Sequence, residues 1–277
     1  MESEAAAVNT AGAMLPADIV RWSRGLLEYY GINGSPHCAG FAFAVLNKSL
    51  AQGGRCNTEI TSTGSVWEMK EKIGDRYFLK VPLFGEFEKP QKAKFRVFER
   101  IYCSMLSPRQ ANAIRKQLLE APAGSMLTVL YARTQTGLQD GRGVNDPSHA
   151  LTCIGNGVWV DEIGCKVNAY EPGSIMGFLK FNRDFKFVEN SLLYIPKKEA
   201  FAAAARKVEY TPAMVGMGGR RHVSPVDFAV KIRERTGMQF EYVLAEILSQ
   251  NEISVKEGMV KVDGLRVELN MPAKGRI

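Results

Sequence analysis

Histidine is scarce in this chain: His37, His149 and His222 are the only three in 277 residues. Any chemistry that needs an imidazole base must draw on one of those positions. Cysteine is also sparse, and it is arranged against two of its common uses. Cys38, Cys56, Cys103, Cys153 and Cys165 are odd in number and include no C-x-x-C pair. That argues against a closed disulfide framework and a thiolate zinc site, and it leaves room for a reactive thiol. No apolar run approaches the ~18 residues of a membrane span, so no membrane span is expected. With no phosphate-binding loop or Rossmann glycine pattern, neither a metal nor a cofactor is expected. The opening stretch MESEAAAVNTAGAMLPADIV begins with acids and small residues, whereas a secretory signal needs a basic start and an apolar core. The expectation is a chain made in the cytoplasm, with any export by a route that needs no such signal.

What is present fits an ordinary globular protein, with 45% hydrophobic and 23% charged residues and a mean hydropathy of -0.14. The net charge of +7 is spread without any block of like charges. It suits an anionic partner such as nucleic acid, an acidic lipid surface or a cell-wall polymer, and equally a solvated surface without a role.

Hydrophobic periodicity predicts an amphipathic helix over 16–30, with Pro16 and Asp18 in its first turn. After the break GINGSP, the stretch HCAGFAFAVLNKSL predicts a buried helix that begins close to Cys38. Residues 51–105 read as short strands and turns. A helix is predicted over 107–121, with Ser107 as its cap and Pro108 in its first turn. Strands follow at 125–132, 149–154 and 158–163, and another at 185–195, the second and third joined by the turn Gly155-Asn156-Gly157. Residues 197–210 predict a helix that leads into a basic connector ending at 223. Residues 224–277 then form a small C-terminal α+β region, with two helices around Thr236-Gly237 and a hairpin turning at Asp263-Gly264.

Cys38 stands at a loop-to-helix junction, where the helix N-terminus and a nearby imidazole can depress a thiol pKa from about 8.5 into the range ~3.5 to 7.5. A free cysteine is ordinarily a small buried hydrophobe, so the base decides the matter. His37 is adjacent in sequence and points elsewhere on a helix start, and His222 lies in the basic connector. His149 remains. If the turn holds three residues, positions whose numbers sum to 312 face each other. His149 and Asp161 are then diagonal neighbours on one face, roughly 7 to 8 Å apart. A two-residue turn flips the parity and turns Asp161 away.

The Cys38-Ala39-Gly40-Phe41 box, the strand from Gly124-Ser125, and the run from His149 through the glycine-asparagine-glycine turn to Asp161, twelve residues on, together resemble the NlpC-type and CHAP cysteine peptidases. The resemblance covers residues 15–196 and implies an α+β, permuted papain-like domain with helices packed on an antiparallel sheet, carrying an insertion at 51–105. It implies Cys38 as nucleophile, His149 as acid and base, and Asp161 as the group that orients the imidazole. Ser35 and Tyr30 are candidate oxyanion or substrate-positioning residues. His37, Ala39 and Ser125 stand where the family usually carries aspartate, serine and aspartate. The implied substrate is the stem peptide of bacterial peptidoglycan, cut by an antibacterial type VI secretion effector or a lysin acting on the cell wall or periplasm. Secretion machinery and an immunity protein are implied partners.

Two other readings follow from the same residues. A papain-like triad also suits a toxin that cleaves or deamidates a host protein. The helix pair at 224–250 in a basic chain suits a nucleic-acid-binding helix-turn-helix, although Glu234, Glu241 and Glu246 interrupt its basic face. The favoured reading is the hydrolase, without nucleic acid as a partner.

Overall fold

The computed structural model describes residues 13–33, 38–52, 66, 69, 77–83, 108–129, 149–175, 192–197, 205–210, 222–253, 255, 260–261 and 267–272. Helix α1 (Pro16–Asn33) and helix α2 (Cys38–Gln52) come first, then strand β1 (Phe78–Pro82), helix α3 (Pro108–Glu120) and strand β2 (Met126–Val129). Next come β3 (His149–Gly155), β4 (Val158–Glu162), β5 (Val167–Tyr170), β6 (Leu192–Pro196), β7 (Ala205–Tyr210) and β8 (His222–Val223). Helices α4 (Pro225–Thr236) and α5 (Phe240–Gln250) and strands β9 (Val260–Lys261) and β10 (Val267–Pro272) complete the order. Among the described residues, no helix is long and apolar enough to cross a membrane.

Six strands form one antiparallel sheet in the order β1-β6-β2-β3-β4-β5. Helices pack on it, which is the expected α+β class. Leu127, Leu151, Cys153, Trp159 and Leu193 meet Ile114 and Leu118 of α3. Met126, Ala150 and Tyr194, which precede or follow these positions by one residue, meet Ala39, Ala42, Phe43 and Leu46 of α2. This alternation is the period-two pattern of strands buried on both faces. The small residues Ala39, Ala42 and Ala150 allow α2 to lie close against β3. Thr152 Oγ1 donates to the Ala42 carbonyl across that contact at 2.9 Å.

The β3–β4 hairpin combines the two parities considered for it. Asn156 and Gly157 both have positive φ, 52° and 72°, the signature of a two-residue type I′ turn. Gly155 pairs with Val158, but Cys153 pairs with Trp159 and Thr152 with Val160. The extra residue, Ile154, is a β-bulge in β3. It restores the register in which numbers sum to 312. The Ile154 carbonyl, displaced from the ladder by the bulge, accepts from Met14 N–H at 3.0 Å.

Helices α4 and α5, expected within a small C-terminal unit, close the same core as α1 and α2. Phe228, Ile232, Tyr242, Val243, Leu244 and Ile247 pack with Ile19, Trp22, Leu26, Phe41 and Val45. Ser224 caps α4, its hydroxyl accepting from Val226 N–H, and Gly237 ends it at φ 71°. Gly25 marks the crossing of α1 and α5, since a Cβ there would lie 2.7 Å from Leu248 Cβ. From Tyr242 to Leu248 every residue of α5 is buried, so this helix has no free face for a DNA groove.

Two expectations change. The helix predicted over 197–210 is a strand where described: Ala205–Tyr210 pairs antiparallel with Val267–Pro272. Val208 and Tyr210 favour that state once a partner strand is supplied. The C-terminal hairpin is replaced by two separate pairings, β9 with β8 and β10 with β7. Strand propensity fixes the extended state, and long-range contacts choose the partner. Of the strand predicted over 185–195, residues 192–195 belong to β6 (Leu192–Pro196), and the rest lies outside the described residues. Ser35, His37, Ser107 and most of 51–105 lie outside the described residues, although β1 from that stretch forms one edge of the main sheet.

Gly155 tests the bulge. Its φ is +108°, and an added Cβ would sit 2.8 Å from Ala13 Cβ and 2.9 Å from Ala13 Cα. Gly155→Ala is expected to lower the unfolding free energy by about 2–4 kcal/mol through backbone strain and overpacking. Asn156→Gly, which retains the left-handed turn, should stay within ~0.5 kcal/mol. Urea denaturation of both variants measures the difference.

Candidate active site

The register places His149 at the first residue of β3 and Asp161 on the neighbouring strand. His149 Nε2 and Asp161 Oδ2 are 2.7 Å apart, with His149 5% and Asp161 1% exposed. A separation at that distance between a ring nitrogen and a carboxylate is a short, charge-assisted hydrogen bond in which Nε2–H donates. Nδ1 is then the nitrogen left to serve a second partner. That partner is Cys38, the first residue of α2, a half-buried thiol that hydrogen-bonds to His149.

Cys38 owes its position to the α2–β3 contact. Thr152 lies three residues beyond His149, Ala42 lies one turn beyond Cys38, and their hydrogen bond ties helix to strand just behind the thiol and imidazole. The first turn of α2 is held from the other side by α5. Gln239, 4% exposed, donates through Nε2 to the Gly40 carbonyl and to Glu241 Oε2, both at 2.9 Å. Its Oε1 accepts from Asn47 Nδ2 at 3.0 Å. Gly40 leaves room for this packing: a Cβ there would meet Glu241 Oε1 at 2.8 Å and the Tyr30 hydroxyl at 3.1 Å.

Burial opposes a charged imidazole at His149. The hydrogen bonds to Asp161 and Cys38, together with their negative charges, outweigh it and raise the His149 pKa from 6.5 to about 9. The imidazolium is thus the favoured form at neutral pH, beside the Cys38 sulfur. Tyr30 shifts the same way for a different reason. Its burial, reinforced by the charges of Glu241, Glu162 and Cys38, pushes the phenol well above its usual value. Burial raises the Cys153 thiol to about 11, and its Sγ donates to the Ala121 carbonyl at 3.4 Å. Cys153 is therefore an inert core thiol. Cys165 is also free and half-buried.

Of the residues singled out in the sequence, Cys38, His149 and Asp161 come together. Tyr30 is 1% exposed and packs within the helical core, its hydroxyl against the first turn of α2. Ser35 lies outside the described residues. Ser125, at the position where the resembling family carries an aspartate, is fully buried, and its hydroxyl has no hydrogen-bond partner among the described residues. Sequence reasoning missed Asn168 and Tyr170. Asn168 Nδ2 donates to Asp161 Oδ1 at 3.0 Å, and the Tyr170 hydroxyl donates to the same oxygen at 3.3 Å. Their signal was the alternation in Val167-Asn168-Ala169-Tyr170, a strand placed by its pairing of Asp161 with Asn168. Among the described residues no cluster of His, Cys, Asp and Glu could hold a metal ion.

Comparison with protein-family models, curated proteins and solved structures yielded no match.

The raised His149 pKa has a thermodynamic consequence with a defined sign. The folded value, about 9, exceeds the ordinary 6.5, so the folded state binds more protons than the unfolded state between these limits. The stabilisation is fully present below pH 6.5 and is lost as pH rises through 9. Denaturation midpoints of the wild type should therefore fall across that window. His149→Gln should lack this component, and parallel pH profiles for the two proteins would contradict the assignment.

Proposed function

We propose that the chain is a cysteine amidase or peptidase of permuted papain-like fold, which hydrolyses amide bonds in the stem peptides of bacterial peptidoglycan as an antibacterial effector or lysin. The observation that carries the reading is the continuous hydrogen-bonded series from Cys38 through His149 to Asp161, with the thiol at a helix start. Nucleophile, base and orienter are thereby in hydrogen-bond reach, the arrangement that activates a thiol for acyl transfer. The wall substrate rests on the resemblance of the cysteine box and the histidine hairpin to the NlpC-type and CHAP peptidases.

The chemistry follows from the placement. The Cys38 thiolate bonds to the amide carbonyl carbon, and negative charge develops on the carbonyl oxygen. Backbone N–H groups in the first turn of a helix lack intrahelical partners, so those at the start of α2 are the donors available to that oxygen. His149 delivers a proton from Nδ1 to the leaving nitrogen, the C–N bond breaks, and a thioester remains on Cys38. His149 then takes a proton from water, hydroxide adds to the thioester, and the C–S bond breaks to release the carboxylic acid. Throughout, Asp161 holds Nε2–H and thereby the ring plane. Tyr30 and Gln239 act behind the thiol, fixing the turn that carries it.

Digestion of purified peptidoglycan, read by mass spectrometry of the released fragments, tests the proposal. The wild type is expected to release cleaved stem peptides. Cys38→Ala should lose activity by several orders of magnitude, since removal of the nucleophile in a triad typically costs about 10⁶-fold. Full activity in that variant would overturn the assignment of the nucleophile. Intact muropeptides after treatment with a wild type whose Cys38 is reactive would overturn the substrate.

A further inference from the structure

The Asp161 carboxylate receives three side-chain donors among the described residues, and they are unequally divided. His149 Nε2 alone occupies Oδ2 at 2.7 Å, while Asn168 Nδ2 and the Tyr170 hydroxyl both converge on Oδ1 at 3.0 and 3.3 Å. Both supporting groups come from β5, which pairs with β4 at the edge of the sheet. Asn168 lies directly opposite Asp161, and Tyr170 lies opposite Trp159, two residues along. A buried carboxylate needs donors wherever it occurs, but that need alone does not require both to meet on the oxygen turned away from the imidazole. Two donors on Oδ1 fix rotation about the Asp161 Cβ–Cγ bond. Oδ2 is thereby left aimed at His149.

We infer that Asn168 and Tyr170 are positioning residues of the active site, acting through Asp161 to hold the His149 ring where its Nδ1 meets the Cys38 sulfur. The inference rests on the Cys38–His149–Asp161 assignment above, not on the identity of the substrate. The titratable groups facing His149 among the described residues are Cys38 from α2 and Asp161 from β4, and Tyr170 faces Asp161 from β5. Loss of either donor has two opposing effects. The Asp161 carboxylate becomes less neutralised, which favours the imidazolium, and it becomes free to rotate away from Nε2, which disfavours it. The two donors lie on neighbouring positions of one face of a strand and both reach Oδ1, the oxygen turned away from the imidazole, so orientation is the larger effect.

The test uses the full chain and needs no substrate. Iodoacetamide alkylation of Cys38, followed by peptide mass spectrometry from pH 4 to 10, reads the reactivity of its sulfur. Tyr170→Phe keeps the ring and removes one hydroxyl, and Asn168→Leu removes the amide at similar volume. Each should slow alkylation near pH 6 by about 3- to 10-fold relative to the wild type, and the pair by about 10- to 100-fold, the range expected when a small misplacement spoils a reacting geometry. Rates at pH 10, above the His149 value of about 9 where the ring no longer carries its charge, should match the wild type. A wild-type alkylation profile in Tyr170→Phe, or a profile moved toward faster reaction at pH 6, would overturn the inference, whatever the melting temperature does. If the wild type leaves peptidoglycan intact while these variants slow alkylation as expected, the substrate falls and the positioning role stands.

Discussion

A two-residue turn at Asn156-Gly157 would by itself put His149 and Asp161 on opposite faces of the sheet, because side chains alternate with a period of two. One additional residue at Ile154 reverses that outcome. The bulge requires a glycine at 155, where the backbone runs at φ +108° and Ala13 lies too close for a side chain. It also requires a donor for the displaced carbonyl, supplied by Met14 N–H. The segment before α1 thus stabilises a hairpin more than 140 residues further along. The distance of 2.7 Å between His149 and Asp161 depends on this one-residue insertion.

The thiol side of the site is held by a different kind of interaction. Glu246 of α5 is 3% exposed and accepts from Trp22 Nε1 of α1 at 2.9 Å, from Lys48 Nζ of α2 at 2.6 Å and from Gln250 Nε2 at 2.6 Å. Lys48 also lies 5.4 Å from the centre of the Trp22 ring, close enough for a cation–π contact. A buried ion pair contributes little net stability relative to well-packed apolar groups, because desolvation offsets its attraction. Its directional bonds nevertheless fix how three helices meet. Gln239 does the same one turn from Cys38, bridging Gly40 and Asn47. The last described helix, α5, is therefore part of the scaffold that positions the Cys38 thiol.

What could be read in the sequence was local. Helices α1 to α5 follow apolar periodicity, Pro at first turns and Gly237 as a stop, and the Asn-Gly turn declares its hairpin. Cys38, His149 and Asp161 could be singled out because their chemistry is specific and histidines are few. What could not be read was pairing across distance. Ala205–Tyr210 carries alanine, arginine, lysine and glutamate, which favour a helix when isolated, yet pairing with Val267–Pro272 makes it a strand. The supports of Asp161 were hidden for the same reason. Asn168 and Tyr170 are ordinary strand-edge residues until the β4–β5 register sets them against the carboxylate. The bulge was also hidden, since Ile154 looks like any apolar strand residue.

The central proposal is that a His149 imidazolium, oriented by Asp161, stands beside the Cys38 sulfur as its acid and base. NMR titration of the His149 ring in the intact protein, with His149→Gln to assign the signal, measures this. The account predicts an imidazolium that persists through neutral pH and deprotonates at about pH 9. A ring that titrates near about pH 6.5, the value of an ordinary histidine, would contradict it.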